Sequence, residues 1–218
     1  MPLQINRREA FQLGAVTAGG WGLALIFGQI APIGLDIGRS DFLLAILDDK
    51  TSPSSGPPGA SVHLAVFTDY RCPACRLAFP TMEAAIRADG DVRIIYKDWP
   101  IFGPPSEKAA KVALATAEQG IYPAVHRLLM TDGRAIDDDL LRDVVTRAGG
   151  DWARTLVILS ARGQQITLQL QTNAQQAFAL GLAGTPGYLA GQVLVAGAIN
   201  ERDFIRLFRR ARAFHELM

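Results

Sequence analysis

The sequence has few of the residue types that usually announce a function. It has only two cysteines and three histidines in 218 residues, and the histidines (His63, His126, His215) are scattered. A structural zinc site needs four nitrogen or sulfur ligands, and with no second cysteine pair and scattered histidines the sequence shows no such set. One pair of cysteines also cannot build a disulfide framework, and a chain this long can bury a core without one. Charge of one sign is missing too. The formal net charge is +1, which gives no electrostatic footprint for a nucleic-acid partner. No internal repeat and no Met-rich or His-rich tract is present. With 49% hydrophobic and 20% charged residues, the composition is that of a globular protein.

One long apolar run is present. Leu13 to Ile33 carries no charged residue and follows Arg7 and Arg8. As a helix it would be roughly 30 Å long, the thickness of a bilayer core. A basic start followed by an apolar run reads as an export signal or an uncleaved membrane anchor over residues 1–35. The positive-inside bias of Arg7 and Arg8 would put the rest of the chain across the membrane, in a periplasm-like space where disulfides persist. Residues 36–60 read as a lead-in. They hold a short apolar helix candidate (FLLAIL) and then the Pro, Ser and Gly-rich "DDKTSPSSGPPGA". The folded domain is expected over 61–218.

Within it, "SVHLAVFTD" reads as a buried strand and "DVRIIYKDW" as a second one. Between them lies "CPACRLAFPTMEAAIRADG", a helix ending at Gly90 with Pro80 as a kink. Helical patterns follow from Ser106, as N-cap, to Gly120, from Asp137 to Gly149, and over 166–182. "GTPGYLAGQVLVAGA" returns to strand character, with Gly191-Gln192 as the turn, and a last helix is capped by Asn200. The order is βαβ, a helical block over about 105–183, then ββα.

Cys72 and Cys75 therefore stand where the first strand ends and the first helix begins, with Pro73 and Ala74 between them. A staple closing so short a loop removes little chain entropy. A redox dithiol gains more from this place. Thiol–disulfide exchange proceeds through a thiolate, and a helix N-terminus offers unpaired amides and a partial positive charge to stabilise one. Cys72 is expected to be the exposed nucleophile and Cys75, one turn inside, the resolving thiol. Pro73 fits a first helical turn and stiffens it.

Three segments carry a resemblance: "VFTDYRCPACR", "IIYKDWPIFGPPSEKAAKVALATAEQGIY" and "GLAGTPGYLAGQVLVAGAI". In this order and spacing they resemble the DsbA-like branch of the thioredoxin superfamily, over most of residues 48–215. The resemblance implies an α/β thioredoxin-like fold with an inserted helical subdomain. It implies a thiol:disulfide oxidoreductase whose only redox group is the Cys72–Cys75 disulfide, with no metal or other cofactor. It implies a cis peptide bond before Pro186, with Thr185 and Pro186 beside Cys72 as a substrate-binding wall. The partners implied are cysteine-containing protein substrates and a membrane redox protein that reoxidises or reduces the pair. Pro-Ala lacks the His that strong oxidants of the family carry second, so a reductase or isomerase is the alternative. A non-catalytic chaperone or Cu(I)-binding module is the more distant one. Gly187 stands where many relatives carry Thr or Ser, which would loosen the strand start. Of the neighbouring residues, Lys97 and Asp98 read as a solvated strand end, Tyr70 and Trp99 as groove or aromatic core, and His63 as a packed strand residue.

Overall fold

The computed structural model describes residues 32–216; the apolar segment beginning at Leu13 and the expected anchor or signal lie almost wholly outside them. Among the described residues, no helix is long and apolar enough to cross a membrane. From Gly34 onward the chain forms one compact unit.

Its centre is a six-stranded sheet in the order β1-β6-β5-β3-β4-β2. β3 (Val62–Thr68) and β4 (Val92–Asp98) are parallel neighbours, in register from Val62↔Val92 to Thr68↔Asp98. Helix α2 (Pro73–Asp89) makes the crossover between them. All but one residue of each strand is buried, which explains why both read as near-continuous apolar runs. β5 (Gly187–Ala190) runs antiparallel to β3, and β6 (Val193–Ala196) pairs with β5 through the turn at Gly191. The final helix α7 (Glu201–Glu216) starts where Asn200 Oδ1 accepts the Asp203 amide, as its N-cap role requires, and packs on α2.

Between β4 and β5 the chain is helical: α3 (Pro104–Ala115), a 3-10 turn (Thr116–Gln119), α4 (Tyr122–Thr131), α5 (Asp138–Arg147) and α6 (Trp152–Ala179). Two expectations change here. The 166–182 helix is the second half of a 28-residue helix that begins at the Asp151 cap. The segment "YPAVHRLLMT" forms α4, whose buried Tyr122, Val125, His126, Leu129 and Met130 follow helical spacing. Pro80 sits inside α2, and the helix continues through it to a left-handed Gly90.

The 36–60 stretch, expected as a lead-in, has structure of its own. β1 (Leu35–Asp36) pairs with β6, and β2 (Ser54–Ser55) pairs with β4, so both sheet edges are closed by this segment. Helix α1 (Asp41–Leu47) starts at a Ser40 cap and buries Leu43, Ile46 and Leu47 against Phe67, Ile95, Trp99, Leu182 and Leu189. Burial of three such side chains contributes on the order of 5 kcal/mol.

Candidate active site

Three loops leave the same end of the sheet. Because β3 and β4 are parallel and in register, Asp69–Cys72 and Trp99–Gly103 emerge side by side. The antiparallel pair Phe67↔Gly187 brings Pro186 to the same edge. Ligands of open α/β sheets bind at this end, outside the carboxyl ends of the strands.

Cys72 is the N-cap of α2, with extended backbone, and its sulfur accepts the Cys75 amide N–H at 3.3 Å. On its other side the Cys72 thiol donates to the Thr185 carbonyl at 3.3 Å. The Thr185-Pro186 peptide is cis. The structure thus brings together Cys72, Cys75, Thr185 and Pro186, with Pro73 and Ala74 in the first turn of α2. At Gly187 a Cβ would lie 2.5 Å from Leu182 Cδ1, so a side chain there would require the Leu182 side chain to shift.

One expectation is corrected. Cys72 is 2% exposed, no more than Cys75, because the Thr185-Pro186 segment covers it. Both are free thiols. Burial pushes the Cys75 thiol far above its ordinary range, which outweighs opposing contributions from Asp69 and Thr185. Cys75 is therefore a protonated thiol at neutral pH.

Asp69 organises the two loops beside the sulfurs. Its carboxylate is buried and accepts four hydrogen bonds. Oδ1 takes Arg71 N at 2.7 Å and Ser106 Oγ at 2.6 Å, and Oδ2 takes Ile101 N at 2.6 Å and Phe102 N at 2.9 Å. Arg71 Nη1 adds a 2.6 Å bond to the Phe102 carbonyl. Ser106, expected as a helix cap, spends its hydroxyl here, and α3 starts earlier, at Pro104 after Gly103. The acidic residue three before Cys72 was a visible signal, but its role depends on a loop that closes on it from 32 residues away.

Lys97 and Asp98 are not a solvated strand end. Both are buried. Lys97 Nζ pairs with Asp49 at 2.5 Å. Burial opposes ionisation of Asp49, yet bonds from Lys97, Thr51 and Ser52 outweigh it and hold its carboxyl well below the usual range. Asp98 Oδ2 accepts the Tyr122 hydroxyl at 2.8 Å, and the Asp98 carbonyl accepts Asn173 Nδ2 at 3.0 Å. Burial raises the Asp98 carboxyl to about 7, against those hydroxyl contacts. Tyr70 lies 3.0 Å from His126 Nδ1 in the same cluster, and burial lowers His126 to about 3. Tyr70 and Trp99 are both buried, and Tyr70 also lines a cleft bounded by Arg71 and Arg76. His63 is a packed strand residue, with Nδ1 3.0 Å from the Leu47 carbonyl.

Comparison with known proteins bears on this site. Residues 63–207 match the family described as DSBA-like thioredoxin domain. A thioredoxin-like oxidoreductase from Silicibacter pomeroyi DSS-3 is 30% identical with a TM-score of 0.74, over 81% of this chain and 99% of that one. The thiol-disulfide exchange protein alpha-DsbA2 from Wolbachia pipientis is 27% identical with a TM-score of 0.72, over 82% and 93%. A periplasmic thioredoxin-like protein from Salmonella enterica serovar Typhimurium is 27% identical with a TM-score of 0.70, over 81% and 99%. Among curated sequences, 102 residues are 29% identical to part of the Na(+)/H(+) antiporter NhaA 3 of Salinispora tropica. A stretch of 114 residues is 27% identical to part of NhaA 1 of Salinispora arenicola. The matched stretch spans 16% and 17% of those two proteins.

Proposed function

Because this chain belongs to the DSBA-like thioredoxin domain family, we propose that Cys72 and Cys75 are the redox couple of an exported or membrane-tethered thiol:disulfide oxidoreductase working as a dithiol oxidase. The observation that carries this reading is the Cys72 sulfur at the start of α2, accepting the Cys75 amide. That bond sets both thiols in one turn at the helix start, the arrangement in which a dithiol and its disulfide interconvert by thiol–disulfide exchange.

In the forward direction the pair begins as a disulfide. A substrate thiolate attacks Cys72 Sγ. A substrate–Cys72 bond forms, the Cys72–Cys75 bond breaks, and Cys75 leaves with the electron pair and takes up a proton. The buried, high-pKa Cys75 holds that proton. The second substrate thiolate then attacks the substrate sulfur of the mixed disulfide, the substrate–Cys72 bond breaks, and Cys72 leaves with the electron pair and takes up the second proton. The substrate has lost two electrons and two protons, and the dithiol holds them until a membrane partner reoxidises it. The Thr185-Pro186 wall presents main chain beside Cys72, where a substrate strand would align. The compartment proposed is periplasmic, with the N-terminal segment as signal or anchor.

The test is oxidation of a reduced peptide carrying two cysteines. Cys72→Ala abolishes it, and Cys75→Ala accumulates mixed disulfides through Cys72. Unchanged turnover in both variants would refute the assignment.

A further inference from the structure

Beside the cysteine pair lies an open cleft of about 540 Å³ that the redox step does not use. Arg71, Pro73, Arg76 and Leu77 line it from the α2 side, and Arg134 and Ile136 from the loop between α4 and α5. Its volume is within the range of small-ligand sites. Arg71 and Pro73 flank Cys72 in the chain, so the cleft adjoins the segment that carries the cysteine, though Cys72 itself is not among its lining residues.

The lining contains three arginines and no carboxylate. Arg134 is neutralised by Asp132 at 2.6 Å and Asp143 at 2.5 Å. Arg71 and Arg76 are different: among the described residues their partners are main-chain carbonyls. Arg76 is fixed by the carbonyls of Tyr70 at 3.4 Å, Leu129 at 3.2 Å and Asp132. Arg71 spends one donor on the Phe102 carbonyl. A guanidinium has five donors in a planar fork, so most of the Arg71 fork is left for a ligand. Carbonyls hold these groups in place without cancelling their charge. Leu77, 73% exposed on the same wall, adds an apolar contact.

We propose that this cleft is a substrate subsite that receives a carboxylate side chain close to the reacting cysteine of a polypeptide, with Arg71 as the principal contact and Leu77 taking an adjacent apolar side chain. The inference rests on the oxidoreductase reading and names a substrate class for it: acidic segments around the target cysteine.

Binding and turnover separate the two ideas. Peptides with Glu, Gln or Lys two residues from the target position are prepared in Ser forms for binding by fluorescence anisotropy. Cys forms of the same peptides serve for oxidation by the full-length chain. The Glu peptide binds roughly fivefold tighter than the Gln peptide at low salt, as expected of a partly screened ion pair. The advantage fades as salt rises. Arg71→Glu reverses the order and favours the Lys peptide. Equal affinities for all three peptides, or an order unchanged in Arg71→Glu, would overturn the subsite while leaving oxidation in place. Selective binding of the Glu peptide with no oxidation of any Cys form would support the subsite and overturn the oxidase reading.

Discussion

Asp69→Asn tests how far the site depends on one buried carboxylate. The native group accepts four hydrogen bonds at 2.6–2.9 Å. An Asn amide has one acceptor oxygen and a donor nitrogen. The oxygen keeps the Ile101 and Phe102 amides. The nitrogen then faces Ser106 Oγ, which can turn to accept, and Arg71 N–H, which cannot. The variant therefore loses the charge assistance of the remaining bonds and leaves one amide without an acceptor. A charged hydrogen bond contributes about 1.5–3 kcal/mol, and an orphaned buried donor costs about 1–3 kcal/mol. A loss of about 3 kcal/mol is expected, a drop of about 6–12 °C in Tm for a chain of this size. Urea unfolding measures the first, and thermal unfolding the second. Hydrogen exchange should show new opening at Ile101 and Phe102 but none in the centre of β3. The loop also carries the carbonyl that holds Arg71, so oxidation rates should fall along with stability. A change below about 0.5 kcal/mol, the range of an ordinary surface substitution, would refute the hub role.

Asp49→Asn leaves the Lys97 ammonium buried without its partner and should cost about 3 kcal/mol, recovered largely in Asp49→Asn/Lys97→Met. If urea unfolding shows the double variant no better than the single, the pair is not what matters there. The pH profile of stability tests Asp98. Its folded-state carboxyl is held up at about 7 while the unfolded one titrates near 4. The folded state therefore keeps a proton that the unfolded state has lost, and this residue's contribution to stability falls as pH rises from about 4 to 7. Relative to the native chain, Asp98→Asn should gain about 1.4 kcal/mol per pH unit across that window. A flat difference between pH 4 and 7 would contradict the raised carboxyl.

What the sequence made legible follows period and punctuation. β3, α2 and β4 are marked by apolar runs, a proline at the first helical position and a left-handed Gly90, all local signals. Cys72 and Cys75 are marked by their spacing at a strand–helix junction and Thr185 and Pro186 by the resemblance, and the structure sets the Thr185 carbonyl and the Cys75 amide against the Cys72 sulfur. The misreadings share one cause: long-range cover. Cys72 is at a helix start, where exposure is the local expectation, but a segment 113 residues away lies on it. Lys97 and Asp98 carry charges that mark a surface, yet Asp49 and the Tyr122 hydroxyl arrive from distant segments to meet them. Ser106 has the chemistry of a cap, but Asp69 competes for its hydroxyl. The two-residue strands at 35–36 and 54–55 are too short for any periodic signal and exist because the sheet has edges to pair.

The measurement that bears most directly on the central claim is a glutathione redox titration of the full-length chain, with the two oxidation states separated by mass after thiol alkylation. A single two-electron transition is predicted, absent in Cys72→Ala and in Cys75→Ala. Its potential is predicted to be less negative than about −200 mV, on the oxidising side where donors of disulfides operate. A transition near the thioredoxin value of about −270 mV would reverse the direction of electron flow and make the protein a reductase. The absence of any two-electron transition would contradict the account of Cys72 and Cys75 as a redox couple.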